Sequence, residues 1–267
     1  MPVNSSSEPL FAEERKQQIV ELVKTKKKVL VPELVDLFKV SPATIRNDLR
    51  ELEHLGLVKR THGGAIPVEY LGAGFELDTE RKVVEHLQEK QSIAAAAVQW
   101  VEEGDIIVLD TGTTTFELAK RLSGIKNITV VLNDIEIARY LEECEGINVI
   151  LIGGTLRKKF HCTVGPFATK TLSELNVDKV FLATNGFTIE KGCSTPDINQ
   201  AEIKKIMMQI ATKVIVLCDS SKIGINSFVQ FAPVSEIDVF ITDDKIGKEY
   251  LQELQKLGLE VIVAPTK

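Results

Sequence analysis

Seven short apolar runs dominate the chain from residue 105 onward and limit most strongly what it can fold into. The runs are rich in Val, Ile and Leu and hold few polar residues, which is typical of strands buried on both faces. They lie at 106–109, 128–132, 149–152, 180–182, 214–217, 239–241 and 261–263. Helical patterns such as 115–122 and 247–257 separate them, so we predict an α/β domain whose largely parallel sheet is covered by helices on both sides.

Polar loops follow several of these runs, at the sheet edge where folds of this kind bind their ligands. The loop after the first run leads into a helix and carries Asp110, Gly112, Thr113, Thr114 and Thr115. Its backbone N–H groups, hydroxyls and helix dipole suit a phosphate group, although a plain Thr-rich helix cap is an alternative interpretation. The loop lacks the Lys and the Ser/Thr ending of a P-loop, so nucleotide hydrolysis is disfavoured.

Two further loops are predicted to converge on the same edge. Gly153 and Gly154 follow the third run, and Asp219 and Lys222 follow the fifth. The Asp219 carboxylate can accept hydrogen bonds from sugar hydroxyls, and the Lys222 ammonium can pair with phosphate. The sequence therefore predicts a site for a phosphorylated, hydroxyl-rich ligand.

Residues 41–52 predict a helix with an unusual outward face. Ser41 is a good N-cap, and Pro42 suits the first helical position. The inward stripe consists of Ile45, Leu49 and Leu52. The outward face carries Ala43, Thr44, Arg46, Asn47 and Arg50. Small, amide and guanidinium groups fit base edges and phosphates in a DNA major groove, but this helix alone does not exclude an ordinary amphipathic surface helix.

The neighbouring segments favour DNA binding. Helices are predicted over 13–25 and from Pro32 to Val40. The turn between the second of these helices and the helix that begins at Pro42 is only a few residues long. These two helices are therefore predicted to form a helix-turn-helix. The lysines at 24 and 26–28 either touch phosphate or form a solvated charge run. A strand at 57–58 and a reversal at 63–64 then predict a two-stranded wing. Its tip carries side chains that can reach phosphates or the minor groove, namely Lys59, Arg60, Thr61 and His62.

The motifs of this first segment resemble those of a known family. Residues 44–49 (TIRNDL), 55–58 (LGLV) and 62–65 (HGGA) are similar to the N-terminal winged module of the DeoR/GlpR family of bacterial transcription regulators. The family pattern usually has a second arginine where this chain has Asn47. Asparagine can pair bidentately with adenine, where arginine favours guanine or phosphate, so the departure bears on which operator sequence is bound.

The resemblance continues through the second segment. Residues 110–115, 151–157, 164–166, 201–204 and 219–222 are similar in order and spacing to the family's C-terminal sensor domain. That domain is Rossmann-like and related to ribose-5-phosphate isomerase and glucosamine-6-phosphate deaminase folds, and its members typically sense phosphorylated sugars or polyols. The resemblance implies that ligand-binding residues include Lys82, Lys90, Glu202, Lys204, Asp219 and Lys222.

Length, charge and cysteine usage fit this organisation. Residues 1–65 hold eleven Lys/Arg against nine Asp/Glu, whereas the remainder of the 267 residues holds 21 against 29. A mildly basic N-terminal segment followed by an acidic remainder is typical of a DNA-binding module joined to a sensor domain. We expect a flexible tail (1–9), a winged helix-turn-helix domain (10–66), a linker (67–79) and an effector-sensing domain (80–267) that begins with one long helix. Four dispersed cysteines form no metal or disulfide pattern, and we predict no cofactor, no membrane span and a cytoplasmic protein.

Two other functions are weighed against a regulator. In a sugar-phosphate isomerase or deaminase fused to a DNA-binding module, Glu202 is the one obvious carboxylate for proton abstraction. Asn185, where the family usually has aspartate, cannot act as a general acid or base, which disfavours catalysis. An architectural DNA-binding protein without a ligand leaves the phosphate loop unexplained. We therefore predict a repressor of a carbohydrate-utilisation operon, acting as a dimer or tetramer on double-stranded operator DNA under control of a phosphorylated sugar or polyol.

Overall fold

The computed structural model describes residues 12–55, 57–61, 63–67, 74 and 76–266. The chain divides into two compact units, Met1–Gly72 and Ala73–Lys267. The predicted tail (1–9), His62 and most of the predicted linker lie outside the described residues.

The first unit contains three helices and three short strands among its described residues. The helices are α1 (Ala12–Lys26), α2 (Val31–Phe38) and α3 (Pro42–His54), and the strands are β1 (Val29–Leu30), β2 (Lys59–Thr61) and β3 (Gly64–Ile66). The strands are antiparallel in the order β1-β3-β2. The wing was predicted as two strands, which correspond to β2 and β3, and the structure adds β1 as a third strand. A run of two residues is too short to show a strand pattern in the sequence.

Gly64 permits this third strand to join. A Cβ added to Gly64 would lie 1.9 Å from the carbonyl oxygen of Val29 on β1, whereas one added to Gly63 would meet nothing within 4 Å. The glycine at 64 is therefore required by the close approach of another strand and not only by the reversal of the chain.

The core of the first unit joins α1 and α3. Ile19 and Val23 pack with Ile45 and Leu49, and all four side chains are at most 1% exposed. Beside this cluster, Arg15 of α1 forms a two-point ion pair with Asp48 of α3. The Nε–Oδ2 distance is 2.7 Å and the Nη2–Oδ1 distance is 3.1 Å. Both side chains are more than nine-tenths buried, so the pair fixes α3 against α1.

The second unit is an α/β domain. Its described helices are α4 (Thr79–Val84), α5 (Leu87–Ala97), α6 (Thr113–Ala119), α7 (Ile135–Glu142), α8 (Pro166–Ser173), α9 (Ile198–Gln209) and α10 (Lys248–Lys256). Its described strands are β4 (Ile106–Leu109), β5 (Ile128–Leu132), β6 (Ile147–Leu151), β7 (Thr155–Arg157), β8 (Cys162–Val164), β9 (Val177–Ala183), β10 (Gly186–Thr188), β11 (Gly192–Thr195), β12 (Ala211–Leu217), β13 (Val229–Ala232), β14 (Val239–Asp243) and β15 (Glu260–Ala264).

The predicted sheet is confirmed. The seven apolar runs form seven strands that pair in parallel in the order β15-β14-β12-β9-β4-β5-β6. Successive residues of β4 enter opposite layers: Val108 packs in one core cluster, and Ile107 and Leu109 pack in the other. Helices therefore cover both faces, which is why the runs lack alternation. Smaller antiparallel pieces, β7-β8 and β10-β11-β13, were not predicted.

The long helix predicted from residue 80 is wrong in one respect, because it is broken into α4 and α5. His86 takes a left-handed backbone conformation with φ of 51° between them. The Lys90 ammonium then reaches back and donates hydrogen bonds to the carbonyl oxygens of Lys82 and, at 2.6 Å, Glu85. These bonds satisfy main-chain acceptors at the end of α4 that a continuous helix would have used.

Candidate functional site

A pocket lies where the carboxyl ends of three adjacent strands meet. In the sheet order β12-β9-β4 these ends are neighbours, and the residues that follow them share one cavity with side chains of α4, α5 and α9. The cavity is lined by Glu76, Thr79, Lys82, Glu85, Lys90, Thr111, Gly112, Thr113, Thr114, Phe160, Ala183, Thr184, Asn185, Gln200, Lys204, Asp219 and Lys222. The structure thus brings together eight of the effector-binding residues predicted from the sequence: Lys82, Lys90, Gly112, Thr113, Thr114, Lys204, Asp219 and Lys222.

Lysines give the pocket its electrostatic character. Lys82, Lys90, Lys204 and Lys222 all line it, although they are far apart in sequence. Burial lowers the pKa of Lys90 to about 8, and the neighbouring charges of Lys222 and Lys82 contribute to this shift against the opposing effect of Asp219. Burial also lowers the pKa of Lys82. Several ammonium groups held close together with little water favour an incoming anion, because the anion relieves their mutual repulsion.

Two carboxylates predicted from the sequence support these lysines. Asp110 is 1% exposed, pairs with the Lys204 ammonium and accepts a hydrogen bond from the Ala183 N–H at 2.9 Å. Burial raises the pKa of Asp110 above its ordinary value. Asp219 accepts hydrogen bonds from the N–H and hydroxyl of Ser221 and caps the short helical turn Ser220–Lys222. Asp219 therefore positions Lys222 as well as lining the pocket.

The Thr-rich loop contributes two kinds of residue. Thr113 and Thr114 line the pocket in the first turn of α6, where main-chain N–H groups have no partner within the helix. Thr115 is fully buried, and its hydroxyl donates to the carbonyl oxygen of Gly112 at 2.9 Å. Thr111 donates to Asp134 at 2.6 Å. Thr115 and Thr111 thus hold the shape of the loop.

An ion-pair cluster that the sequence did not reveal lies in the same pocket. The Glu76 carboxylate contacts the Lys82 ammonium at 2.5 Å and the Arg157 guanidinium at 2.8 Å, and it accepts a hydrogen bond from the Asn185 amide at 3.1 Å. The Glu76 side chain is only 5% exposed. Burial alone would raise its pKa, but Lys82 and Arg157 hold that pKa below the ordinary value, so the group is ionised. Glu76 falls in the segment interpreted as a linker, where no motif marked it.

Five predicted residues lie outside the pocket lining: Asp110 and Thr115, which support residues of the pocket, and Gly153, Gly154 and Glu202. Gly153 and Gly154 follow β6, which is separated from β9 by β4 and β5, so its carboxyl end is remote from that of β12. A Cβ on Gly154 would lie 2.8 Å from the carbonyl oxygen of Val164, which gives this glycine a packing role. Glu202 is exposed on α9, whereas Lys204 of the same helix is buried.

The outward face of α3 is a separate surface in the first unit. Ser41 caps the helix by accepting a hydrogen bond from the Thr44 N–H at 3.0 Å. Opposite the buried stripe, Thr44 is half-buried, and the remaining predicted contacts are exposed: Ala43, Arg46, Asn47 and Arg50. The Asn47 amide donates to Glu51 at 2.8 Å and accepts from Arg50 at 3.3 Å.

The wing places basic side chains beside the same helix. Lys59 and Arg60 approach Glu53 of α3 at 3.4 Å and 3.8 Å, and Thr61 is exposed. His62, predicted at the wing tip, lies outside the described residues. Within the part of the chain that is described, no helix is long and apolar enough to cross a membrane, and no group of three or more His, Cys, Asp or Glu residues could hold a metal ion.

Comparisons with known proteins match both units. Residues 15–69 match the model of the DeoR-like helix-turn-helix domain, and residues 85–244 match that of the DeoR C terminal sensor domain. The HTH-type transcriptional regulator GlpR of Haloferax volcanii is 42% identical over 249 residues, which cover 93% of this chain and 96% of that protein. The putative aga operon transcriptional repressor of Escherichia coli O157:H7 is 34% identical, with 94% and 93% covered. Ribose 5-phosphate isomerase from Plasmodium falciparum matches with a TM-score of 0.38 at 18% identity over 50% of this chain and 52% of that one.

Proposed function

The chain belongs to the DeoR family of transcriptional regulators, and we propose that it represses a carbohydrate-utilisation operon until a phosphorylated sugar or polyol binds in its second unit. The first unit is a DNA-binding helix-turn-helix domain, and the second is a sensor domain. The relatives are transcriptional regulators over nearly their full length, so the isomerase or deaminase hypothesis is set aside.

The observation that carries the effector proposal is the convergence of four lysines on the loop at 111–114. Asp110 compensates the charge of Lys204, and Glu76 compensates that of Lys82, whereas Lys90 hydrogen-bonds to uncharged main-chain carbonyls. A phosphate would accept hydrogen bonds from the Lys90 and Lys222 ammonium groups and from the N–H groups of the first turn of α6. The architectural alternative gives no reason to gather these four cations, of which Lys90 and Lys204 are buried.

Groups around the lysines suit the hydroxyls of a sugar or polyol. Asp219 keeps acceptor capacity beyond its bonds to Ser221, and Thr113, Thr114 and Gln200 can each donate or accept. Asp219 therefore supports a ligand richer in donors than phosphate alone.

On the DNA side, we assign base-edge contacts to the exposed face of α3. Arg46 and Asn47 are long enough to reach bases, and Ala43, Thr44 and Arg50 lie beside them. Ser41 and the wing residues Lys59, Arg60, Thr61 and His62 are assigned to the phosphate backbone or the minor groove. One small module buries little surface, so we expect a dimer or tetramer that binds two half-sites.

A combined ligand and operator assay tests this function. Wild-type protein is melted with a panel of sugar and polyol phosphates, and operator binding is followed by fluorescence anisotropy with each compound. A ligand at about 100 times its Kd should raise the free energy of unfolding by about 2.7 kcal/mol and change operator affinity. Lys222→Ala should lose both responses, whereas the exposed Lys248→Ala should keep them. If no compound alters melting or operator affinity, the regulatory proposal is wrong.

A further inference from the structure

The Glu76 carboxylate occupies a preformed anion site inside the pocket. Its partners are two cations and one amide donor, Lys82, Arg157 and Asn185, at distances between 2.5 and 3.1 Å. These are the types of group that bind a phosphate or carboxylate of a ligand. In this arrangement the protein itself supplies the anion.

The site does not depend on Glu76 for its shape. The Arg157 guanidinium stacks over the Phe160 ring with its Cζ 3.6 Å from the ring centroid, and its Nε lies 3.3 Å from Asp197. The Lys82 ammonium lies 5.6 Å from the same centroid. The Asn185 oxygen accepts a hydrogen bond from Thr195 at 3.1 Å, which keeps the amide N–H₂ directed at Glu76. Removal of the carboxylate would therefore leave Arg157 and Asn185 in place, with donors free for another anion.

Glu76 also lies at a critical position in the chain. It follows the end of β3, at Ile66, by ten residues and precedes α4 by three. The adjacent Thr79 N–H donates to the carbonyl oxygen of Lys159 at 3.1 Å, and Phe160 follows directly. Residues 76–79, which lie at the start of the sensor domain, are thus anchored to the pocket by an ionised side chain and a main-chain bond.

We propose that Lys82, Arg157 and Asn185 form an anion subsite that Glu76 fills in the unliganded protein, and that an anionic group of the effector displaces Glu76 and releases residues 76–79. This inference rests on the proposed function, because it concerns the same pocket. It identifies the regulatory signal as competition between two anions for one set of donors. The position of residues 76–79 then depends on ligand occupancy.

Hydrogen exchange on the full-length wild type tests this with inorganic phosphate as the probe. Phosphate should slow exchange in the loop at 111–115 and speed exchange of the Thr79 amide, because the anchor is lost. Slower exchange in the loop with unchanged or slower exchange at Thr79 overturns the displacement and leaves the phosphate pocket intact. If exchange changes neither in the loop nor at Thr79, both the phosphate pocket and the anion subsite are refuted.

A charge-neutral variant provides a second measurement. Glu76→Gln removes the competing anion with little change of size, so phosphate should bind about tenfold more tightly by calorimetry. The matched control is Asp105→Asn, which removes a carboxylate paired with Lys179 at 2.6 Å at the opposite end of β4. Without ligand, Glu76→Gln should shift operator affinity in the direction that phosphate shifts the wild type. Equal or weaker phosphate affinity in a Glu76→Gln protein with native Trp100 fluorescence overturns the proposal.

Discussion

Substitution of Gly64 by alanine should detach β1 from β3 and destabilise the DNA-binding domain while leaving the sensor domain intact. The new Cβ would lie 1.9 Å from the carbonyl oxygen of Val29 and 2.9 Å from the Cα of Leu30. These atoms belong to the main chain of β1 and cannot rotate away, so β1 and β3 must separate. Gly63→Ala is the matched control, because its Cβ would meet nothing within 4 Å.

The magnitude follows from what the separation removes. The pairs Val29–Ala65 and Leu30–Gly64 would be lost, together with the hydrogen bond from the Val31 N–H to the Gly63 carbonyl at 2.8 Å. At about 1 kcal/mol per main-chain hydrogen bond, the loss is about 2–3 kcal/mol. A domain of this size is stabilised by only about 3–9 kcal/mol, so the change is a large fraction of its stability.

Urea unfolding of the full-length protein separates the two domains. The single tryptophan, Trp100, lies in the sensor domain, so its fluorescence follows that domain, whereas far-ultraviolet circular dichroism follows both. Gly64→Ala should move the dichroism transition of the DNA-binding domain down by about 1–2 M urea and leave the fluorescence transition unchanged. Operator affinity should fall with it. Equal dichroism midpoints for Gly64→Ala and Gly63→Ala would refute the packing argument.

Four further outcomes are expected. Arg46→Ala should weaken operator binding at least about tenfold without altering the melting response to ligand, while the exposed Arg139→Ala changes neither, as measured by anisotropy and thermal shift. Asn47→Arg should change the preferred base at one position of each half-site in a binding-site selection. Phosphate affinity should fall as pH rises through about 8, because Lys90 binds an anion in its protonated form, and this dependence should vanish in Lys90→Met. Asp219→Ala should lose more affinity for a sugar phosphate than for inorganic phosphate, because only the sugar donates hydroxyls to the carboxylate.

Much of the fold could be predicted because burial on both faces leaves a direct mark on the sequence. Each of the seven strands of the parallel sheet is formed around one of the apolar runs, and the Thr-rich loop follows the first of them. The cap at Ser41 and the buried stripe of α3 were predictable for the same reason, since local spacing determines them.

The order of the strands leaves no such mark. In the sequence, Gly153–Gly154 and Asp219–Lys222 are equally good candidates for the ligand site, because each segment follows a predicted strand. Only the placement of β6 at the sheet edge, with two strands between it and β9, separates the glycines from the pocket. The break before α5 was missed because it depends on Lys90 donating to carbonyls at the end of α4, and a lysine on a helical pattern looks solvated. Glu76 was missed because its partners are up to 109 residues away.

The buried two-point ion pair between Arg15 and Asp48 affects how the preference for an operator sequence can change. Two parallel hydrogen bonds fix an angle as well as a distance, so α3 cannot roll about its own axis relative to α1 without breaking one of them. A lysine at position 15 would retain the charge and lose the angle. Because the axial rotation of α3 is fixed, preference for a new operator sequence can arise by substitution of side chains on α3 without any change in the orientation of the helix. Substitutions at position 47 can then vary base preference while every neighbouring contact keeps its register on the DNA.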